Sequence, residues 1–425
     1  MRSAMSLKAI FTVLLLVASS WAATEKTLHN FGSSGTDGQS SAAGLIFDSA
    51  GNLYGTTAAG GAAGKGTVFE TSPDGSGGWT TKLLWSFGVV QDDGQKPVAG
   101  LVFDAAGNLY GTTYQGGTVF SGTVFELSPN GDGTWAEKVL HHFQVQGHEQ
   151  DGKNPAAGLI FDAAGNLYGT TYNGGTGAEG TVFELSPNGD GTWAEKVIHN
   201  FFVNFHVNDG QNPQASVIFD AAGNLYGTTY QGGSAGHGAV FEMSPNGSGG
   251  WTEKLLHSFW AGGDQFDGSN PEAGLIFDAA GNLYGTTYSG GSRFQGLGTV
   301  FEMTPDGSGG WTEKVLHVFH KLSLDGKYPQ GGVIFDGAGN LYGTTSAGGT
   351  KNAGAVFEMT PNGDGSWAEF VLHNFQVEGD IDDGANPLAG VIFDSTGNLY
   401  GTTSKGGTSN TMGSGGVGTV FQVAP

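Results

Sequence analysis

Six histidines recur at one place in the chain: His29, His141, His199, His257, His317 and His373. Six imidazoles at equivalent places invite a metal hypothesis. In the remaining copy the position is Trp85, which cannot ligate a metal, and outer-strand placement would hold the six far from one another. A structural hydrogen-bonding role is therefore expected of them, and no metal site is assigned. Seven aspartates, Asp48, Asp104, Asp162, Asp220, Asp278, Asp336 and Asp394, also recur, each three residues before a Gly-Asn pair. That spacing is turn grammar rather than acid catalysis. Asp380-Ile381-Asp382-Asp383-Gly384 alternates oxygen donors as calcium loops do, but lacks the later Glu; calcium stays open as a cofactor and no other is expected. Gly-x-Ser-x-Gly, His-Glu-x-x-His and phosphate-loop motifs do not occur.

Tyrosine gives a sharper pattern. Tyr114, Tyr172, Tyr230 and Tyr288 each follow a Thr-Thr pair and precede Gly-Gly one residue on, in four consecutive copies. The other three copies carry Ala58, Ser346 and Ser404 there. A requirement of the fold would fill all seven places. The four rings are thus expected to form an arc on one side of a face, with Trp260 nearby, where flat rings with hydroxyls suit sugars or a protein partner. The alternative is that they pack beneath neighbouring loops.

The elements that position these residues are set by a repeat. Gly-Asn-Leu-Tyr-Gly-Thr-Thr begins at Gly51, Gly107, Gly165, Gly223, Gly281, Gly339 and Gly397, with steps of 56 and then 58 residues. Each unit holds four strand-like runs. In the third they are Gly158–Asp162, Asn166–Thr171, Thr181–Leu185 and Glu195–Phe201, rich in β-branched and aromatic residues. Turn residues separate them, as in Asp162-Ala163-Ala164-Gly165-Asn166 and Pro187-Asn188-Gly189-Asp190-Gly191. Successive short hairpins give four-stranded antiparallel meanders, and seven of them predict an all-β, seven-bladed propeller over residues 23–425. Residues 25–31 match a fourth strand alone, and residues 418–422 a third strand without a fourth. The N-terminal segment 24–31 is predicted to pair with Thr419–Val423 and close the ring, as an open solenoid would not. Recurrent phenylalanines (Phe31, Phe47, Phe69 and equivalents) are expected between blades, and Gly55 and its copies where a neighbouring blade approaches closely.

The seven GNLYGTT copies, the Gly-Thr/Ala-Val-Phe strand and the Leu-His-x-Phe strand resemble the bacterial GloVer tandem-repeat family of exported proteins, and more distantly NHL-type propeller blades. The resemblance spans about residues 24–425. It implies a propeller and export, and it carries no defined activity.

Composition agrees with export. Residues 1–22 read as a signal peptide: Arg2 and Lys8, then an apolar run over Ala9–Val17, then Ser20-Trp21-Ala22 before the cut. That run is too short to span a membrane, and no second one follows. A secreted or periplasmic protein is expected, likewise a monomer. There is no cysteine, so stability does not rest on disulfides. The formal net charge of −23 opposes nucleic-acid binding.

Within each unit the second-to-third and fourth-to-first connections should emerge on one face, and these vary most between units, carrying Phe202, Phe205, His206, Trp260 and Phe266. Variation on one face of a constant scaffold predicts a non-catalytic binding module for carbohydrate, a cell-surface polymer or a cell-surface protein. The alternatives are a polymer-degrading lyase or hydrolase with its site at the propeller mouth, and a structural envelope protein.

Overall fold

A computed structural model describes residues 23–144, 150–202, 209–263, 266–292, 296–320, 325–378, 381–407 and 416–425. The expected signal peptide lies outside them, as do Phe205, His206 and Asp380. The β-branched and aromatic runs form seven blades, six of them four-stranded antiparallel sheets and the fifth extended to six strands by the ladder of Gly268–Ser269 with Ser289–Gly290, which joins it through one parallel pairing. In the first blade the strands are Ile46–Phe47, Leu53–Thr57, Thr67–Pro73 and Trp79–Ser86, paired in chain order. The molecule is a seven-bladed β-propeller, as the repeat predicts.

The ring closes as the two chain ends predict. Thr24–Asn30 pairs antiparallel with Thr419–Ala424, from Thr24 opposite Ala424 to Asn30 opposite Thr419. A second closure runs nearer the axis. The second Thr of each GNLYGTT's Thr-Thr pair is buried in its own blade, while the first donates across to the next. Thr56 Oγ1 donates to the Ala99 carbonyl, and the pattern repeats at Thr112, Thr170, Thr228, Thr286 and Thr344. Thr402 completes it by donating to Ala43 O at 2.9 Å. The innermost strands hold only two paired residues, Ile160–Phe161 in the third blade, where five are expected.

Hydrophobic clusters fill the spaces between blades. At the first-to-seventh junction Leu28, Phe31, Leu45, Leu53, Phe69, Tyr400 and Val420 meet. Phe31 and Phe69 are fully buried and touch edge to face at 5.1 Å. Each such ring contributes about 1.5–3 kcal/mol. The mid-strand glycines differ from expectation. A Cβ on Gly55 would lie 2.7 Å from the Phe69 ring and 2.9 Å from Leu45, both of its own blade. Gly55 faces Phe69 across the ladder, so the missing side chain lets that ring lie over the strand rather than admitting a neighbouring blade.

Every outer strand carries a one-residue irregularity immediately before the recurrent histidine, or before Trp85 in the first blade. Val182 pairs with His199 and Phe183 with Val197, leaving Ile198 unpaired. A bulge re-aims the side chain after it, and here that is the histidine.

The two variable connections do share a face. They pair as two-residue ladders, such as Gly38–Gln39 with Ala59–Gly60, in six blades, and through an Ala385–Lys405 bridge in the seventh. Among the described residues no helix is long and apolar enough to cross a membrane.

Candidate functional site: a tyrosine-rimmed mouth

At one equivalent position the fourth-to-first connections all hold a residue in the left-handed region: Ser40, Lys96, Asn154, Asn212, Asn270, Tyr328 and Asn386, with φ between 54° and 59°. This residue is a bracket between blades. Asn270 N–H donates to His237 O, its carbonyl accepts from Tyr288 N–H at 3.0 Å, and its amide donates to Tyr230 O at 2.9 Å. Asn154 and Asn212 hold Tyr172 N–H with Tyr114 O, and Tyr230 N–H with Tyr172 O, in the same way. The tyrosines are thus pinned through their backbones to the segments that run inward to the axis.

Two residues beyond each bracket, Ala42, Val98, Ala156, Gln214, Glu272, Gln330 and Leu388 occupy equivalent places beside the axis. Below them the blades crowd. A Cβ on Gly390 would lie 2.7 Å from Gly332 O, and one on Gly332 would lie 3.3 Å from Gly274 O. Small residues are needed there because successive innermost strands approach backbone to backbone.

Tyr114, Tyr172, Tyr230 and Tyr288 are half-buried, and none of their hydroxyls is hydrogen-bonded to a described residue. They do not pack wholly beneath loops. Burial raises the phenol of Tyr172 above its ordinary range, followed by the charges of Tyr114, Tyr230, Glu179 and Glu272. Burial and then Glu272 raise that of Tyr230; burial, then Glu272, Tyr328 and Tyr230, raise that of Tyr288. Three of the four tyrosines therefore feel the charge of one carboxylate. Tyr328 extends the arc, stacking on Tyr288 at 4.8 Å and 23°. At the far end the Lys96 ammonium stands 5.0 Å from the centre of the Tyr114 ring.

Glu272 is the only charged residue among the seven axial positions. Burial pushes its carboxyl above the usual carboxylate range, and a hydrogen bond from Gln330 Nε2 to Oε2 at 2.6 Å opposes the shift. Among the described residues no cation pairs with it. Sequence reasoning missed Glu272, Gln330 and Tyr328. The signal was present, because comparing copies at the residue after each loop proline singles out one acid among small, apolar and amide side chains.

Trp260 sits in a different cluster. Its ring lies 4.3 Å from that of His237, and its backbone N–H donates to Asp267 Oδ2 at 2.9 Å. No ring contact joins it to the tyrosines among the described residues. Phe266 is exposed.

The histidines meet partners that the sequence reading did not assign. Five of the six lie close to the aspartate of the following connection, His29–Asp37 at 3.1 Å, His141–Asp151 at 2.7 Å, His257–Asp267 at 2.9 Å, His317–Asp325 at 3.1 Å and His373–Asp383 at 2.9 Å, and His199 stands farther from Asp209, at 3.5 Å. A glutamate of the next blade completes four of these clusters: Glu195, Glu313, Glu369 and Glu25. Nitrogen and two carboxylate oxygens within 4.8 Å are a donor set that fits a divalent transition metal. The same groups also balance without one. Burial first, and then the Asp383 charge, raises the Glu25 carboxyl to about 7, so a proton held in this latch can take the place of a cation. Asp383, the last acid of the calcium-like run, is committed to this latch and to Gln376 N–H.

On the opposite face the recurrent aspartates are turn-formers, as expected. Asp220 Oδ1 accepts from Ala222 and Asn224 N–H, and Oδ2 from Asn224 Nδ2 and Tyr226 OH. Grooves of about 620, 570 and 640 Å³ repeat between blades there, one lined by Phe219, Tyr226, Phe277, Pro305 and Trp311. Their acids are saturated by these bonds.

Closed sheets of this form, with a variable face, define a β-propeller repeat protein. The chain belongs to the Gloeobacter/Verrucomicrobia repeat family, whose model matches residues 16–202 and 194–421. No protein of curated function matches it in sequence. Its fold is similar to a putative 6-phosphogluconolactonase from Bacteroides uniformis, at 13% identity and TM-score 0.50, covering 83% of this chain and 96% of that one. It is also similar to the extracellular domain of a putative hybrid two component system from B. thetaiotaomicron, at 12% identity and TM-score 0.50. That likeness covers 94% of this chain and 39% of the other. Both show the fold alone. The repeat family and the propeller fold fit a binding or interaction module.

Proposed function

We propose that this protein is an exported, non-catalytic binding module whose ligand, a carbohydrate or cell-surface polymer, docks on the tyrosine-rimmed mouth. The observation that carries this reading is the one-sided arc. Tyr114, Tyr172, Tyr230 and Tyr288 are half-buried, backbone-pinned and free at their hydroxyls, in four consecutive blades of seven. Pinned rings present area to a ligand with little entropy left to lose. A hydrolase or lyase needs an acid and a base facing each other across the bond that breaks. The seven axial positions carry a single carboxylate, which favours binding over catalysis. A glycan-array screen of the processed protein, repeated with calcium, tests the reading. Binding that Tyr172→Ala with Tyr230→Ala abolishes, while the melting profile is kept, supports it. Polymer binding that survives the double substitution overturns the placement.

A further inference from the structure

The mouth carries a feature that a neutral sugar does not require. Glu272 is a partly buried carboxylate with no cation partner among the described residues, and its hydrogen bond comes from a neutral amide, Gln330. Burying an unpaired anion is unfavourable unless something compensates it. Tyr230 and Tyr288 are pinned to Asn270, two residues from it, and tyrosine π-faces attract cations, while the chain's net charge of −23 draws cations from a distance. Lys96 stands over the ring at the Tyr114 end, away from the Tyr230–Tyr288 pair whose backbones bracket Asn270, two residues from Glu272.

We infer that the mouth binds an amine-bearing saccharide, its ammonium group seated between Glu272 and the rings of Tyr230 and Tyr288, and its sugar faces against Tyr172 and Tyr328. This rests on the binding reading given above and names the ligand class. The ammonium donates to Glu272 and lies against ring faces. The adjoining pyranose, with its apolar face, stacks on the remaining tyrosines. Gln330 and Gln214 flank Glu272 at the axial positions and offer amides to neighbouring hydroxyls. An N-acetylated sugar replaces the cation with a neutral, bulkier amide and loses both attractions.

The test is calorimetric titration of the intact processed protein with glucosamine oligomers, set beside N-acetylglucosamine oligomers of equal length and spermidine. Wild type should prefer the free-amine oligomer by about tenfold or more, a size set by one desolvated charge contact with cation–π support. Glu272→Gln, isosteric and able to keep a bond with Gln330, should remove that preference without changing the melting profile. Equal affinity for the amine and acetylated oligomers, both lost in Tyr172→Ala with Tyr230→Ala, would overturn this inference and leave the binding reading standing. No oligomer bound would overturn the inference, and an empty wider screen would take the binding reading with it. Spermidine bound as tightly as the oligomer would overturn the saccharide assignment.

Discussion

Replacing Glu137 with Gln should stabilise the protein at alkaline pH and leave it unchanged in acid. Glu137 belongs to the one blade junction in which Trp85 takes the place of histidine, so its neighbour Asp93 has no imidazole partner. Burial first, and then the Asp93 charge, pushes the Glu137 carboxyl from 4.5 to about 8. Burial raises Asp93 as well. A folded value above the unfolded one means the folded state holds the proton more tightly. Its stabilisation is complete below about 4.5 and is lost as the pH rises through about 8. At about 1.36 kcal/mol per pKa unit the full shift corresponds to roughly 5 kcal/mol. Glu137 is only partly buried, so screening by solvent reduces the expected penalty above pH 8 to about 1–2 kcal/mol. Gln has the same shape and no charge to desolvate. Denaturant midpoints for wild type and Glu137→Gln, measured from pH 5 to pH 9, should coincide at pH 5 and separate in favour of the variant by pH 9. An equal gain at pH 5, or a variant less stable at pH 9, would refute the reasoning.

Other substitutions test the scaffold. Removing residues 23–31 exposes the edge of Thr419–Ala424 and should lower the melting temperature and promote association, measured by calorimetry and light scattering; an unchanged melting temperature would count against strand closure. Gly227→Ala puts a Cβ 2.5 Å from the Phe241 ring and should cost about 1–3 kcal/mol in chemical unfolding. Lys96 holds φ at 59° where four blades use Asn, so Lys96→Asn should gain about 0.5–1.5 kcal/mol by easing strain and donating to Ala58 O. The histidine latches should retain no stoichiometric zinc or copper after purification, by elemental analysis; retention that His199→Ala removes would show that the latches close on a metal.

The fold was legible because its instructions are local and repeated. Asp-x-x-Gly-Asn turns, alternating strands and complementary chain ends each specify one step, and the seven copies agree. Gly55 was misread because sequence gives the absence of a side chain but not which neighbour fills the space. The histidine latches were invisible for a different reason. Their partners lie ten or so residues on and in the next blade, and a bulge at Leu28, Ile198 and their equivalents turns the imidazole toward them. The tyrosine arc could be read from its partial occupancy among the copies. Glu272 could not be joined to it from sequence, since the bracket at Asn270 that brings Tyr230, Tyr288 and the axis together is made of backbone bonds. Trp260 was grouped with the arc because both lie in variable connections, but that connection spans the full radius of a blade. Its outer end, where Trp260 meets His237 and Asp267, is distinct from its inner end at Glu272.

A crystal structure of the processed protein with a glucosamine oligomer tests the central claim most directly. The account predicts sugar density at the mouth, an amine within hydrogen-bonding distance of Glu272 and against the rings of Tyr230 and Tyr288, and pyranose faces against Tyr172 and Tyr328. Density instead in the repeated grooves of the opposite face, between Phe219 and Trp311, with an empty mouth, would contradict it.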